Sequence, residues 1–534
     1  MNWLDACGKF GTAQRLDTTL LSVLSAFPQK TRTHAVLEVR SFKELEAMVP
    51  RLQGAIETRL ESHLTTEVDG QQASMFARRY QAVQDMLEKL APRDPGARAL
   101  RAGFACRMTE MMESSPTALR VRAIIDFYFS QAAIRHHRLQ NPAVAATPTL
   151  RGLVEQTRWQ KIQRGLFHRL VSGMTQKGPV NLNALRFDRG RFDFLAVDYR
   201  TAVTAGVPFA QSILEAGGAA GFSGGYFLYS EPNIEAPAAR YDPVGLLVSG
   251  GQVLNPPIYS RPAFMQDDEG RVHIATIGLK GLMLRWPDGV HFRIGGTNAA
   301  RRINAMPVAF NRADRTQTPL HEGHILTIIA QQLTAVQRGG QVAIPVGGFV
   351  VTLPATPEWD ELGSALAVDT RVTFELPSLP GIRGVSSAIA GGPTLLEGGR
   401  TSGPRALLKE EFTGDAEPMT FSTDETGDLN LLPRLAIGLT PAHDVIVMAA
   451  DGRNFGAALG LTLAEVTGVM RALGCVDAIN MDGGSSKRLV LQNQPLDLPT
   501  TEIVAGAHVE ESIRPVHNGF LARPREEEPT SQDG

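Results

Sequence analysis

Two short polar runs in this 534-residue chain gather the residue types that can do chemistry. Asp451-Gly452-Arg453 sets an acid and a base two positions apart, and Asp482-Gly483-Gly484-Ser485-Ser486 joins a carboxylate to two glycines and two hydroxyls. Paired glycines let a backbone come close to a ligand and turn its N–H groups toward it. A carboxylate beside such donors can activate water or attack an electrophilic carbon. Guanidinium, amide and hydroxyl groups can hold a departing anion. Taken singly, each residue has a plainer reading: Asp451 makes an Asx-type turn, Asp482 caps its own glycine loop, and Arg434 serves a structural ion pair.

The elements that must position these runs follow from pattern. Residues 444–450 (DVIVMAA) are apolar and β-branched, which predicts a buried strand ending at Asp451. Thr462 followed by Glu465 forms a capping box, and Leu463, Val466, Val469, Met470 and Leu473 fall at helical spacing. Gly474 closes that helix, and residues 478–481 form a second strand running into Asp482. Strand, polar turn, helix, strand and glycine loop together place two acids and an arginine at the ends of two strands expected to be neighbours.

The run GLTLAEVTGVMRALGCVDAINMDGGSS resembles the signature of the phosphodiester glycosidase family, the NAGPA-type domain. Its pattern is met at 434–438 (RLAIG), 451–453 (DGR), 460–463 (GLTL) and 482–486 (DGGSS). It is met further at 221–227 (GFSGGYF), 344–352 (IPVGGFVVT), 388–399 (AIAGGPTLLEGG) and 514–520 (RPVHNGF), in the family's order from about residue 195 to 523. Four departures stand out. Ser223 replaces a usual Asn, the DGGSS loop is one glycine shorter, Lys487 occupies a small polar position, and His517 replaces an Ala.

The resemblance implies a hydrolase that cleaves a sugar phosphodiester at the anomeric C–O bond, with a phosphate monoester as leaving group. Such a cleavage builds oxocarbenium character on the sugar. Asp482, Asp451 and Arg434 are then the candidate catalytic residues. Arg453, Asn480, Gly483, Gly484, Ser485, Ser486, Asn518, Ser223 and Arg261 are the candidate substrate contacts. Arg261 is a candidate because guanidinium binds phosphate oxygens bidentately, although a surface arginine is the commoner case. A divalent cation is compatible with the Asp451 and Asp482 pair, but no dense ligand cluster demands one. The alternative from another class is a non-catalytic glycan- or phosphate-binding module.

Length predicts two or three domains, and 43% hydrophobic with 20% charged residues is ordinary for a globular protein. The net charge of −2 gives no general attraction to nucleic acid or membrane. Residues 1–180 are nevertheless net basic and the remainder net acidic, as a partner-binding half would be. Helical periodicity predicts a helical domain over 1–180, including a helix over 150–174, of adaptor or packing character. From Phe192 glycine and β-branched residues take over, predicting a mixed-sheet domain over 190–523 and a charged, disordered tail over 524–534. The expected fold class is therefore α+β or mixed α/β, a helical domain followed by a mixed-sheet domain.

Three cysteines are too few for a disulfide framework. No signal peptide and no run of about 18 apolar residues is seen, so a cytoplasmic location is the default expectation. His321-Glu322-Gly323-His324 places its histidines three apart rather than the four a zincin helix needs.

Overall fold

The computed structural model describes residues 148–175, 178–204, 206–228, 242–299, 306–313, 315–345, 347–402, 409–412, 431–452, 457–500 and 515–526. The expected helices before residue 148, and the tail beyond 526, lie outside the described residues.

Among the described residues the architecture is built from β-sheets, five in number, with five short helices around them. The helices are α1 (Leu150–Gln156), α2 (Arg200–Thr204), α3 (Phe209–Glu215), α4 (Pro357–Ala365) and α5 (Leu463–Ala472). Pairing is antiparallel almost throughout, and the short Gly296–Thr297 and Val308–Phe310 strands make a parallel pair. The α+β or mixed α/β expectation is thus corrected to a mainly antiparallel β fold.

The correction is sharpest at 150–174, where one long helix was expected. Only Leu150–Gln156 is helical, capped by the Thr149 side chain accepting from the Gly152 amide. The chain then forms the Gln160–Gln163 and Leu166–Thr175 strands, turning at Gly165 with φ of 73°. A positive φ suits glycine and ends a helix. The apolar residues that fit a 3.6 period also fit a strand, and pairing along the whole of Gly178–Phe187 decides the outcome.

An eight-stranded sheet positions the candidate site. Its order runs Gln160–Gln163, Leu166–Thr175, Gly178–Phe187, Val445–Ala450, Arg434–Leu439, Asp477–Met481, Thr394–Glu397, Arg400–Thr401. The two strands that end at Asp451 and Asp482 are therefore not neighbours. The Arg434–Leu439 strand lies between them, antiparallel to both, with Arg434 opposite Ala450 and Leu435 opposite Met481. Antiparallel pairing thus brings the start of this strand, Arg434, between the ends of its two neighbours.

Alternation sends this strand's side chains to two cores. Leu435, Ile437 and Leu439 pack with Phe187, Phe194, Phe222, Phe264 and Phe520 against the Ala220–Ser223, Asn518–Pro524 and Phe192–Asp198 strands of a second sheet. Ala436 faces α1 and α5 with Val154, Val466 and Met470. Burying each large side chain contributes about 1.5–3 kcal/mol. The α5 capping box forms as expected, with Thr462 and Glu465 exchanging side-chain and backbone bonds, and Gly474 follows the helix at φ of 99°. The His321-Glu322-Gly323-His324 run lies on the His321–Ile329 strand, not on a helix.

Candidate functional site

The Asp477–Met481 strand carries Asn480 and Met481 into the glycine loop. Gly484 has φ of 59°, its amide donates to the Pro433 carbonyl (3.0 Å), and a Cβ on Gly483 would stand 2.5 Å from that same oxygen. The loop thus lies flat against the chain leading into Arg434, a path open only to glycine. Residues 484–486 form a 3₁₀ turn in which Ser485 and Ser486 are buried. Asp482 is partly buried, and its amide donates to the Gly224 carbonyl (3.1 Å).

The Tyr226 hydroxyl marks where these elements meet. It donates to the Gly392 carbonyl (2.7 Å) and accepts from Asn480 Nδ2 (2.8 Å). Burial first, then the negative charge of Asp482, pushes its ionisation above the ordinary tyrosine range; Arg261, Arg434 and the Asn480 bond oppose the shift. Asp482, Arg261 and Arg434, from three separate stretches of chain, therefore share one electrostatic neighbourhood.

Arg261 is no surface arginine. It is 3% exposed, with its guanidinium carbon 4.0 Å from the Phe412 ring centre, 4.5 Å from Tyr259 and 5.9 Å from Tyr226. Aromatic faces stabilise a cation by their quadrupoles. Burial lowers its proton affinity, while Tyr259, Tyr226, Glu411 and Glu410 raise it. Arg261 Nε and Asn480 Oδ1 are buried polar atoms that meet no hydrogen-bond partner among the described residues. Such atoms are costly unless something pairs with them, which makes them good places for a polar ligand.

Asp451 occupies a different setting. Its carboxylate is 1% exposed and forms an ion pair with the equally buried Lys487 ammonium. It also accepts from Asn181 Nδ2 (2.6 Å) and the Leu498 amide (3.0 Å). Lys487 lies 3.5 Å from Asp497, which binds Arg488 at 3.1 Å and accepts from the Leu489 amide at 2.8 Å. Two cations and two carboxylates thus form a buried network immediately after the glycine loop.

Other expected contacts bind backbone. Ser223 Oγ accepts from the Arg488 amide (2.9 Å), and Asn518 Oδ1 accepts from the Gly225 amide (2.7 Å). Arg453 lies outside the described residues. Arg434 is 2% exposed and donates from Nε to the Leu461 carbonyl (3.1 Å). Among the described residues no cluster of three or more His, Cys, Asp or Glu side chains is placed to hold a metal ion.

The sequence reading missed Tyr226, although it lies within the quoted GFSGGYF run. It missed Tyr259, Glu410, Glu411 and Phe412 altogether, since no periodicity or motif singles them out. A cavity of about 270 Å³ lies elsewhere, between α1, α5, Thr175 and residues 178–180. Leu461, whose carbonyl accepts from Arg434, also lines it.

Two buried arginines and one partly buried carboxylate thus act electrostatically on one buried tyrosine, which bonds the strand leading into the glycine loop. Residues 322–523 match the family model of phosphodiester glycosidases. Ser223, Tyr226 and Arg261 precede the matched residues; Asp451, Asp482 and Asn518 lie within them.

Solved structures similar to this chain include a hypothetical protein from Synechocystis, at 17% identity and a TM-score of 0.42, covering 69% of this chain and 64% of that one. The chain thus spans just under two thirds of that protein's length. An exported protein of Burkholderia pseudomallei matches at 18% identity and a TM-score of 0.41, covering 66% and 76%. The catalytic domain of zebrafish N-acetylglucosamine-1-phosphodiester alpha-N-acetylglucosaminidase, auto-inhibited by its pro-peptide, matches at 12% identity and a TM-score of 0.36, covering 73% and 93%. No curated protein matches the chain.

Proposed function

We propose that this protein hydrolyses a sugar phosphodiester at the anomeric C–O bond. The observation that carries the reading is that Asp482, Arg434 and Arg261 all act electrostatically on Tyr226, with Asp482 and Arg434 inside the 322–523 segment that matches the phosphodiester glycosidases. Arg261 and Arg434 supply fixed positive charge for the phosphate beside the 483–486 loop. Asp482 is the carboxylate that activates water or attacks the anomeric carbon. Asn480, with its unpartnered Oδ1, is placed to accept from a sugar hydroxyl. Asp451 takes an anchoring role, because its oxygens are already committed to Lys487, Asn181 and the Leu498 amide.

The test is release of free sugar from a panel of sugar phosphodiesters, including UDP-N-acetylglucosamine, by wild type and Asp482→Asn. Turnover by wild type that vanishes in the variant while binding persists supports the reading. Binding without turnover in both proteins replaces it with a glycan- or phosphate-binding module. Running the assay with and without a chelator shows whether a divalent cation takes part.

A further inference from the structure

A second group of arginines stands at the margin of the eight-stranded sheet, around Trp159. The Arg169 guanidinium carbon lies 5.0 Å from the Trp159 ring centre and that of Arg186 lies 5.6 Å from it. Arg186 also stacks on Phe167, at 4.0 Å. Strand register builds this group. Phe167 pairs with Arg186 and Arg169 with Ala184, so residues 167, 169 and 186 share one face of the sheet. Trp159 packs at the edge of the core on that face.

Charge in this group is not balanced. Arg169 is 9% exposed, and its side chain donates to the Thr157 carbonyl (2.8 Å), while its buried Nε meets no hydrogen-bond partner. Arg186 Nε also lacks a hydrogen bond, and its one carboxylate neighbour is Asp188 at 3.5 Å. Arg158 is exposed and turns Nη1 to the Glu155 and Thr157 carbonyls (2.9 and 3.2 Å). The Glu155 carboxylate itself is bound by Arg151. Among the described residues three guanidiniums therefore share one carboxylate, that of Asp188. After burial, Arg158 and Arg186 are what lower the proton affinity of Arg169, as crowded like charges do. Aromatic faces offset part of that repulsion, and an anion would offset the rest.

We propose that Arg158, Arg169 and Arg186 form a second anion site, built around Trp159, that takes a phosphate group. Guanidinium forks match phosphate oxygens, and a ring stacked between two of them holds their planes in place. Arg186 pairs with Ile446, roughly 17 Å along the Val445–Ala450 strand from Asp451. The site therefore serves a phosphate other than the one assigned to Arg261 and Arg434. Two sources offer this chemistry: free inorganic phosphate, and a further phosphate group along a polymeric sugar-phosphate substrate. The second source rests on the glycosidase reading above; the site itself does not.

Titration of inorganic phosphate into the full chain carrying Arg261→Met, at ionic strength held constant with chloride, reads this site with the other one weakened. Phosphate should bind and raise the melting temperature where chloride does not. Adding Arg158→Gln or Arg186→Gln should weaken binding ~10-fold or more. Arg158 is exposed, so its variant covers the case in which Arg186→Gln does not fold. No binding beyond that of chloride, or binding unchanged by both substitutions, overturns the site. A short oligomer of N-acetylglucosamine 1-phosphate, offered to Asp482→Asn so that it stays intact, separates the sources. Tighter binding of the oligomer than of its monomer, lost with Arg158→Gln, assigns the site to polymeric substrate, and equal binding assigns it to free phosphate. A wild type that binds this phosphate but releases no sugar sinks the glycosidase reading alone, whereas an active wild type with no second phosphate sinks this site alone.

Discussion

The Lys487 ammonium and the Asp451 carboxylate form an ion pair in which both side chains are 1% exposed. It joins the end of the Val445–Ala450 strand to the end of the glycine loop, two strand positions away across the sheet. Desolvating both charges is costly, and the pair persists because Asn181, Leu498 and Asp497 complete its bonding.

Removing one partner leaves the other charged and buried. Lys487→Met or Asp451→Asn should destabilise the protein by about 3–5 kcal/mol. The double variant should lose less than the sum of the two. Urea unfolding midpoints for the four proteins measure the coupling, and simple additivity would show that the pair has no net interaction.

Arg261 faces a different test. Its guanidinium is boxed by Phe412, Tyr259 and Tyr226, so Arg261→Met keeps apolar packing and removes only the donors and the charge. Charge-assisted hydrogen bonds contribute about 1.5–3 kcal/mol, so affinity for a sugar phosphate should fall roughly ten- to hundredfold. Titration calorimetry with a sugar phosphate reads this directly, and unchanged affinity would place the phosphate elsewhere.

Gly225 is pressed against the Ser387–Ala390 strand. A Cβ there would lie 2.3 Å from the Ala390 carbonyl oxygen and 3.0 Å from the Ile389 side chain. Gly225→Ala must shift backbone to fit and should cost about 1–3 kcal/mol. Because the Gly225 amide donates to Asn518, activity should fall along with the melting temperature. An unchanged melting temperature would show that the two segments separate easily.

Glu410 ties stability to pH. Its folded-state proton affinity lies above that of an ordinary glutamate, mainly through burial. The native state therefore holds the proton more tightly than the unfolded chain. The resulting stabilisation is fully present below the unfolded-state value and is lost as pH rises through the raised folded-state value. Glu410→Gln removes this dependence, so stability measured by urea unfolding from pH 4 upward should be flatter in the variant and should gain on wild type with rising pH. Parallel curves would show that Glu410 does not titrate differently in the two states.

Local order along the chain was legible in the site region. A β-branched run, a Thr-x-x-Glu box and an Asp-Gly-Gly run read directly as strand, helix start and loop, because each depends on residues adjacent in sequence. The helix expected over 150–174 was not realised beyond Gln156. Its apolar spacing suited two periods, and only pairing with Gly178–Phe187, itself paired to Val445–Ala450, selects the strand.

The sequence by itself determined which residue types were available for chemistry and where the glycine loop and its helix begin. Tertiary structure decided which of them stand together. Inserting the Arg434–Leu439 strand between the two acid-bearing strands set Arg434 between their ends. Packing then buried Asp451 against Lys487, leaving Asp482 to act on Tyr226. The physical reason is that charge partners and desolvation depend on neighbours brought from tens to hundreds of residues away, and no local pattern encodes those distances.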